Sequence, residues 1–364
     1  MPFTERIYNF SAGPATLPTE VLETAQKEFL NYGNTGMSIM EMSHRSKEYE
    51  DVNNRAEAAV RKLYDVPENY NIMFIQGGAS LQFSMVGMNL AKEGKPIDLI
   101  QTGAWTQKAE KELKKISTVN ISASTESENF MRLPTKEEMK FSGDASFVYM
   151  CSNNTIFGTE YTEYPDTGSI PLVADMSSNI LSKPVDISKF GLIFAGAQKN
   201  IGPSGVTLVI IRKDLAEAAP SNLPSMLQYK IHAKEKSLYN TPPTFGVYMI
   251  MLVTEYLLKK GGLPAVAKHN TDKAKLLYDT IDGLDFYYCP VKANRSLMNV
   301  NFRIKDNNEE LEKKFVKEAE AAGLSGLKGH RSVGGLRASI YNAMSQQGVQ
   351  KLVEFMQNFA KSNS

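Results

Sequence analysis

The sequence has few cysteines and no excess of charge of either sign. Two cysteines among 364 residues allow at most one disulfide bond, so a secreted scaffold held together by disulfides is excluded. The 41 basic and 40 acidic side chains give a net charge of +1. Such a balance is not typical of proteins that bind nucleic acids or membrane surfaces. We therefore expect neither kind of partner, and we expect no metal site.

Long apolar runs are also missing. The most apolar stretch, residues 247–258, is interrupted by Glu255 and is too short to span a bilayer. The first ten residues include Glu5 and Arg6 and lack the apolar region of a signal peptide. No internal repeat or low-complexity segment is found. These absences predict a soluble, cytoplasmic protein.

The length and the hydrophobic content of 42% predict two packed domains. Residues 1–18 are expected to form an extended arm, residues 19–261 a large domain, and residues 262–364 a small domain. Helical spacing predicts helices over residues 19–32, with Thr19 as the cap, and over 46–64. Between residues 71 and 212, short apolar runs then alternate with helical segments. The runs predict strands at 71–76, 97–102, 117–122, 146–151, 170–175, 191–195 and 205–212, with helices at 81–91 and 106–116.

Several of these runs are apolar without alternation, as in strands covered on both faces. The pattern predicts an α/β fold with a mainly parallel sheet flanked by helices. A helix over residues 245–260 is expected to end at Gly261-Gly262, the domain boundary. Beyond it, alternating residues 298–305 predict a half-exposed strand, followed by helices at 308–322 and 345–361 and a strand at 336–341. This second part is expected to be a small α+β domain.

Lys199 lies in a loop of glycines and small residues between two predicted strands. Small residues let a bulky ligand approach the backbone. A lysine amine in a partly desolvated site loses its proton readily and forms an imine with an aldehyde. The alternative is a surface lysine in a hairpin turn.

Asp175 ends the apolar run 170–175 and is followed by Met176-Ser177-Ser178. Ligands of open α/β sheets collect at the carboxyl ends of strands, and a buried aspartate there needs a cationic or donor partner. A protonated pyridine nitrogen would serve. The alternative is that Asp175 caps the next turn.

Two further signals follow predicted strands. The segment 77–80 (GGAS) permits a tight turn at a helix start, where free N–H groups favour an anion. Trp105, the sole tryptophan, could stack on a planar ring. Each signal alone also fits an ordinary turn or a core residue. Together they supply an imine lysine, a carboxylate for a ring nitrogen, a phosphate nest and a stacking partner, which is the set that pyridoxal phosphate (PLP) requires.

Blocks spread over the whole chain resemble the phosphoserine aminotransferase family. They are residues 8–15 (YNFSAGPA), 40–45 (MEMSHR), 197–205 (AQKNIGPSG), 239–244 (YNTPPT) and 334–343 (GGLRASIYNA). The resemblance implies a fold-type I PLP-dependent transferase. It implies a large domain around a seven-stranded sheet, a small C-terminal α+β domain, and a homodimer with active sites at the subunit interface.

The resemblance also implies a role for each matching residue. Lys199 would carry the cofactor as an imine and Asp175 would pair with its ring nitrogen. The remaining cofactor contacts would come from Trp105, Thr155, Ala79, Ser80 and Gln198, with Asn240 and Thr241 of the other subunit. Arg337 would bind the substrate α-carboxylate. The distal phosphate or carboxylate would meet His44, Arg45, His330 and Arg331. Two departures are Ser80, where some relatives have arginine, and Ala12, where some have serine.

The implied reaction exchanges an amino group between L-glutamate and 3-phosphooxypyruvate in serine biosynthesis, with a related phosphorylated substrate in vitamin B6 synthesis. Another fold-type I class-V aminotransferase is the alternative. A cysteine desulfurase would need a mobile nucleophilic cysteine, whereas Cys151 and Cys289 both lie in segments with the character of strands. A nicotinamide-dependent dehydrogenase would need a fuller glycine fingerprint than residues 77–80 provide. A non-catalytic binding protein is the third alternative.

Overall fold

The computed structural model describes residues 5–363. Its strands are β1 (Tyr8–Asn9), β2 (Tyr70–Ile75), β3 (Ile97–Gln101), β4 (Val119–Ser124), β5 (Val148–Cys151), β6 (Leu172–Asp175), β7 (Leu192–Gly196), β8 (Thr207–Arg212), β9 (Tyr287–Tyr288), β10 (Asn299–Ile304), β11 (Leu324–Ser325) and β12 (Leu336–Ser339). Its α-helices are α1 (Thr19–Glu28), α2 (Lys47–Tyr64), α3 (Gly78–Leu90), α4 (Ala104–Leu113), α5 (Lys213–Glu217), α6 (Tyr229–Lys234), α7 (Thr244–Lys259), α8 (Gly262–Gly283), α9 (Glu309–Ala321) and α10 (Gln346–Asn363).

The central sheet has seven strands in the order β2-β8-β7-β6-β5-β3-β4. Strands β3 to β7 run parallel, and β8 runs antiparallel to both of its neighbours, β2 and β7. Strand β2 therefore has the same direction as the parallel strands. The carboxyl ends of β2, β3, β5, β6 and β7 all reach one edge of the sheet. This confirms the predicted mainly parallel sheet and places the four sequence signals at the same edge.

Both faces of the sheet are covered, which explains why its strands are apolar without alternation. In β6, Val173 packs with the apolar cluster that includes α3 and α4, whereas Leu172 and Ala174 pack with the cluster that includes α2 and α7. Strands β5, β6 and β7 are buried along their full lengths.

A third apolar cluster joins α8, α9 and α10 to the antiparallel sheet β12-β10-β9. The arm adds Phe10 to this cluster, and β1 pairs in parallel with β11. This separate cluster supports a division of the chain near residue 261, which stays a prediction. Within residues 5–363, no helix is long and apolar enough to cross a bilayer.

Several local predictions were wrong. Thr19 is the first residue of α1 and not its cap, because Pro18 takes the capping position and the Thr19 hydroxyl accepts a hydrogen bond from Arg6. Gly262 begins the 22-residue helix α8, which periodicity missed. Asn299 is fully buried although it falls on the supposedly exposed side of β10. Cys289 lies just after β9 and not within a strand.

Candidate active site

Lys199 lies in the connection between β7 and β8, so the alternative of a hairpin lysine is correct for the backbone. The side chain, however, is half-buried, and its Nζ donates a hydrogen bond to Thr155 Oγ1 at 2.7 Å. Gly13 of the arm has a φ of +144°, and a Cβ there would lie 3.2 Å from Lys199 Cγ. The arm therefore covers the stem of Lys199 and leaves its amine at the sheet edge.

Asp175 faces the same space from the end of β6 and is 4% exposed. Its Oδ1 accepts a hydrogen bond from Ser177 N at 2.9 Å, so the carboxylate does cap the following turn. Burial raises the pKa of Asp175, against the opposing effects of Ser177 and of the Lys199 charge. Burial likewise lowers the pKa of Lys199, against the attraction of Asp175. Both shifts favour neutral groups, and a neutral amine is the form that attacks an aldehyde.

Trp105 lies in the first turn of α4, after β3. The centroid of its ring is 5.2 Å from Lys199 Nζ. The ring is partly exposed, and its Nε1 is buried without a hydrogen-bond partner among the described residues. A flat surface and an unused donor therefore border the amine of Lys199.

The turn between β2 and α3 has the geometry of an anion nest. Gly77 and Gly78 have φ values of +95° and +62°, which residues with side chains rarely adopt. Helix α3 begins at Gly78, so Ala79 and Ser80 belong to its first turn, where N–H groups lack intrahelical acceptors. The helix begins earlier than the predicted residue 81. Gln198, beside Lys199, is half-buried at the same edge.

Thr155 contacts both the Lys199 loop and strand β12 at the site. It lies in the loop after β5, is 3% exposed, and contacts Lys199 through its hydroxyl group. Its backbone carbonyl accepts a hydrogen bond from Arg337 Nη1 at 3.2 Å. Arg337 comes from β12, and its Nε is buried without a recorded partner among residues 5–363. Burial lowers the pKa of Arg337. One residue therefore separates the amine of Lys199 from the guanidinium of Arg337.

His330 and Arg331 lie in the loop that precedes β12. His330 is half-buried with its Nδ1 2.7 Å from Ser332 Oγ, and Arg331 is exposed. Burial lowers the pKa of His330, and the positive charges of Arg337, Arg331 and Lys108 lower it further. The structure therefore brings His330 and Arg331 near Arg337.

No hydrogen bond among the described residues joins the other expected site residues to Lys199, Asp175 or Arg337. His44 and Arg45 lie in the loop before α2, where Arg45 is exposed. Thr241 is also exposed, and its carbonyl accepts a hydrogen bond from Gln76 Nε2 of the same chain at 3.2 Å. Asn240 is half-buried next to it. The contribution of these four residues to a partner subunit stays a prediction.

Sequence reasoning missed the residues that support the site from behind. Asn200 is buried beside Lys199, and its Nδ2 donates to Ile180 O at 2.6 Å. Its Oδ1 accepts from Asn342 N at 2.9 Å, which ties the Lys199 loop to the turn after β12. Both asparagines fall in the motif blocks of the sequence, which was the only signal for them. Cys151 and Cys289 are buried thiols whose pKa values burial raises, so neither suits a desulfurase nucleophile.

The donors and acceptors at this edge fit PLP. The nest at residues 77–80 suits its phosphate, the buried carboxyl of Asp175 suits a protonated ring nitrogen, and Trp105 offers a face for stacking. Thr155 and the amine of Lys199 are already in contact. The unpaired Nε atoms of Trp105 and Arg337 are spare donors for bound oxygens.

Fold and site together define a PLP-dependent transferase of fold type I. The family model of class-V aminotransferases matches residues 7–352. The chain therefore belongs to the class-V aminotransferase family, which confirms the expected fold class, cofactor and enzyme type.

Individual relatives indicate which class-V aminotransferases the chain resembles. The phosphoserine aminotransferase of Lysinibacillus sphaericus is 52% identical over 362 residues, covering 99% of each chain. The structure of phosphoserine aminotransferase from Bacillus circulans subsp. alkalophilus superposes with a TM-score of 0.97 at 52% identity, over 99% of this chain and 100% of that one. The PLP-bound phosphoserine aminotransferase of Trichomonas vaginalis gives a TM-score of 0.92 at 42% identity, over 97% of this chain and 100% of that one.

Proposed function

We propose that this enzyme transfers an amino group between L-glutamate and 3-phosphooxypyruvate, giving O-phospho-L-serine and 2-oxoglutarate. The observation that carries the proposal is the position of Thr155 between Lys199 and Arg337, with 2.7 Å and 3.2 Å hydrogen bonds to the two side chains. An α-amino acid presents a reacting carbon next to a carboxylate. An amine and a guanidinium on either side of one residue match those two groups.

The cofactor contacts form the first part of the proposal. Ala79, Ser80 and Gln198 hold the phosphate of PLP, and Asn240 and Thr241 of a partner subunit complete that site. Trp105 stacks on the ring. Thr155 binds the phenolic oxygen, and Asp175 pairs with the ring nitrogen. Ser80 contributes a hydroxyl where an arginine would add charge, so backbone N–H groups carry more of the phosphate binding.

Catalysis then depends on how the chain holds and moves protons. Bound PLP supplies an electron sink for the negative charge that develops at the substrate α-carbon. Lys199, as a neutral amine, would take the proton from that carbon as general base and, as general acid, would deliver it to the cofactor carbon that carries the transferred amino group. Asp175 keeps the ring nitrogen protonated, because a buried carboxylate stabilises a cation beside it. Arg337 fixes the α-carboxylate and so orients the bond that breaks.

The distal end of the substrate gives the enzyme its specificity. A phosphate needs several donors, and one arginine provides a bidentate fork. His330 and Arg331 provide one group of donors beside Arg337, and His44 and Arg45 of a partner subunit provide another. The phosphorylated substrate of vitamin B6 synthesis, 4-phosphohydroxy-L-threonine, presents the same phosphate and falls within the proposal. Another class-V aminotransferase activity is the alternative.

The shared site requires a homodimer, and the surface beside His44 supports one. Phe29, Leu30, Met37 and Met40 are large apolar residues that are exposed in the single chain, and Leu30 is 80% exposed. Exposed apolar residues in such a group are typical of an interface. We assign the enzyme to the cytoplasm, because its two thiols are free and buried.

The test compares substrates that differ at the distal end. In the parent, kcat/KM for phosphoserine should far exceed that for alanine. Arg331→Ala or Arg45→Ala should lose about 2–5 kcal/mol of transition-state binding for phosphoserine, the range for breaking a desolvated charge pair. The loss for alanine should be much smaller, because alanine has no distal anion.

Arg212→Ala is a matched control, because Arg212 forms a half-exposed pair with Asp214 at the opposite end of β8 from Lys199. Arg212→Ala should leave kcat/KM unchanged for both phosphoserine and alanine. Equal proportional losses on phosphoserine and alanine in the two site variants would show that these arginines support the fold or the dimer. A parent that prefers another oxo acid would favour the alternative activity.

A further inference from the structure

Lys108 is a cation on α4 next to the candidate site. Its Nζ lies 4.5 Å from the centroid of the Trp105 ring, and Lys199 Nζ lies 5.2 Å from the same centroid. The two Nζ atoms are therefore no more than about 10 Å apart, the sum of those distances. Trp105 and Lys108 are three residues apart on one helix, so they share a face. Lys108 thus lies against the ring that is expected to stack on the cofactor.

Within residues 5–363, no carboxylate pairs with Lys108. Its side chain is exposed, and no ion pair or hydrogen bond joins it to another of residues 5–363. The glutamates of its own helix are engaged elsewhere, since Glu110 binds Lys114 at 2.6 Å and Glu112 binds Lys115 at 2.8 Å. A positive charge beside Trp105 is therefore left without a counterion in the described part of the chain.

Lys108 also lies within electrostatic reach of His330. After burial, the charges of Arg337, Arg331 and Lys108 all lower the pKa of His330, and none of the groups that act on His330 raises it. Lys108 is thus near enough to His330 for its charge to act there together with the charges of Arg331 and Arg337. Such an excess of positive charge attracts an anion.

We propose that Lys108 is a specificity-determining residue that favours substrates whose distal group carries two negative charges. This inference rests on the proposed function. Lysine presents a compact, hydrated point charge on a flexible stem, in contrast to the bidentate fork of arginine. Lys108 therefore acts through charge more than through directed hydrogen bonds. The energy of such an interaction is linear in the charge of the substrate.

Because the interaction energy is linear in the charge of the substrate, the test compares substrates whose distal groups carry different charges. A unit charge that acts on a dianion over several ångströms of water-like medium corresponds to roughly a tenfold change in kcat/KM. Lys108→Gln should therefore lower kcat/KM roughly tenfold for phosphoserine, about threefold for glutamate, and not at all for alanine. Lys108→Glu should lower kcat/KM for phosphoserine and glutamate further. Raising the ionic strength should reduce the difference between parent and variant, because the pair is exposed to solvent.

Lys111→Gln is the matched control, because Lys111 is exposed one turn further along α4 and no ion pair or hydrogen bond joins it to another described residue. The control variant should change kcat/KM only slightly for phosphoserine, glutamate and alanine. The absorption spectrum of the Lys108→Gln holoenzyme should equal that of the parent, since the stacking of Trp105 on the cofactor is retained.

Two results would overturn the proposal. Equal losses on phosphoserine, glutamate and alanine would mean that Lys108 acts through Trp105 or the fold. An unchanged kcat/KM for phosphoserine in Lys108→Gln would mean that the charge is irrelevant. Failure of the proposed function is visible separately, in a parent enzyme that does not prefer phosphoserine to alanine, and it would remove both proposals.

Discussion

Lys273 offers a direct test of how the turn after β12 is held within the second part of the chain. It lies on α8, is completely buried, and donates three hydrogen bonds, to Ile340 O at 2.9 Å, Tyr341 O at 2.5 Å and Met344 O at 2.9 Å. Burial lowers the pKa of Lys273. A neutral amine could donate only two of these bonds, so the full set requires the ammonium. The perturbation is Lys273→Met, which keeps the length of the side chain and removes every donor.

The expected loss of stability depends on how many carbonyl groups are left without a donor when Lys273 is replaced. One of the three, Met344 O, also lies 3.2 Å from His269 Nε2 and keeps a partner when that nitrogen donates. The carbonyls of residues 340 and 341 lose their side-chain donor inside the protein. Each unsatisfied buried acceptor costs about 1–3 kcal/mol, so the loss of two should destabilise Lys273→Met by about 2–6 kcal/mol. The avoided burial of an ammonium places the result toward the lower end of this range.

Thermal unfolding of the holoenzyme measures this effect, and Tm should fall by about 4–10 °C. Lys275→Met on the same helix is the control. Lys275 is exposed and binds Asp279 at 2.5 Å, and a surface pair contributes only about 0–1 kcal/mol. If Lys273→Met melted within about 2 °C of the control, the three hydrogen bonds would not stabilise the turn and the reasoning would be wrong.

Two further predictions concern the catalytic groups. Lys199→Ala should lose transamination by several orders of magnitude, because both imine exchange and proton transfer need that amine, and borohydride reduction of the parent followed by peptide mapping should label Lys199; a label on a different lysine contradicts the assignment. Asp175→Ala should keep the fold and lower kcat by at least about a hundredfold, because the ring nitrogen loses the carboxylate that holds its proton. A turnover within a few-fold of the parent would show that Asp175 serves only as the cap of the Ser177 turn.

Most of the central sheet was predictable because burial on both faces leaves a direct mark on the sequence. In the sequence, strands β5, β6 and β7 are short apolar runs that end at polar residues or glycine, and the structure confirms each strand. Their carboxyl ends meet at one edge because the strands are parallel. Lys199, Asp175 and Trp105 could therefore be grouped before any distance was known.

The distances between the two parts of the chain were not predictable from local pattern. Thr155 and Arg337 are in contact although 182 positions separate them in the sequence. Neither residue differs in its local surroundings from an ordinary loop threonine or strand arginine. Their pairing depends on how β12 is placed against the loop after β5, which is a tertiary property. Only the resemblance to a known family indicated both residues.

The failures of periodicity share a physical cause, which is polar side chains on buried faces. Helix α8 buries Leu263, Val266, Leu277 and Ile281 at helical spacing, but Asn270 and Lys273 occupy the same face and interrupt its apolar pattern. Asn299 likewise interrupts the alternation of β10. These residues are buried because they bind polar groups of other segments. Asn270 Nδ2 donates to Ser182 O at 3.1 Å and to Asn342 Oδ1 at 2.8 Å.

The same polar contacts converge on the loop that contains Lys199. Asn342 donates through its backbone N–H to Asn200 Oδ1 and through its side chain to Leu181 O, so the turn after β12 is fastened to the residue next to Lys199. Lys273 holds the carbonyls of that turn from behind. A hydrogen bond sets distance and direction more narrowly than an apolar contact does. The residues that obscure the helix pattern of α8 therefore help to fasten the turn after β12 to the Lys199 loop.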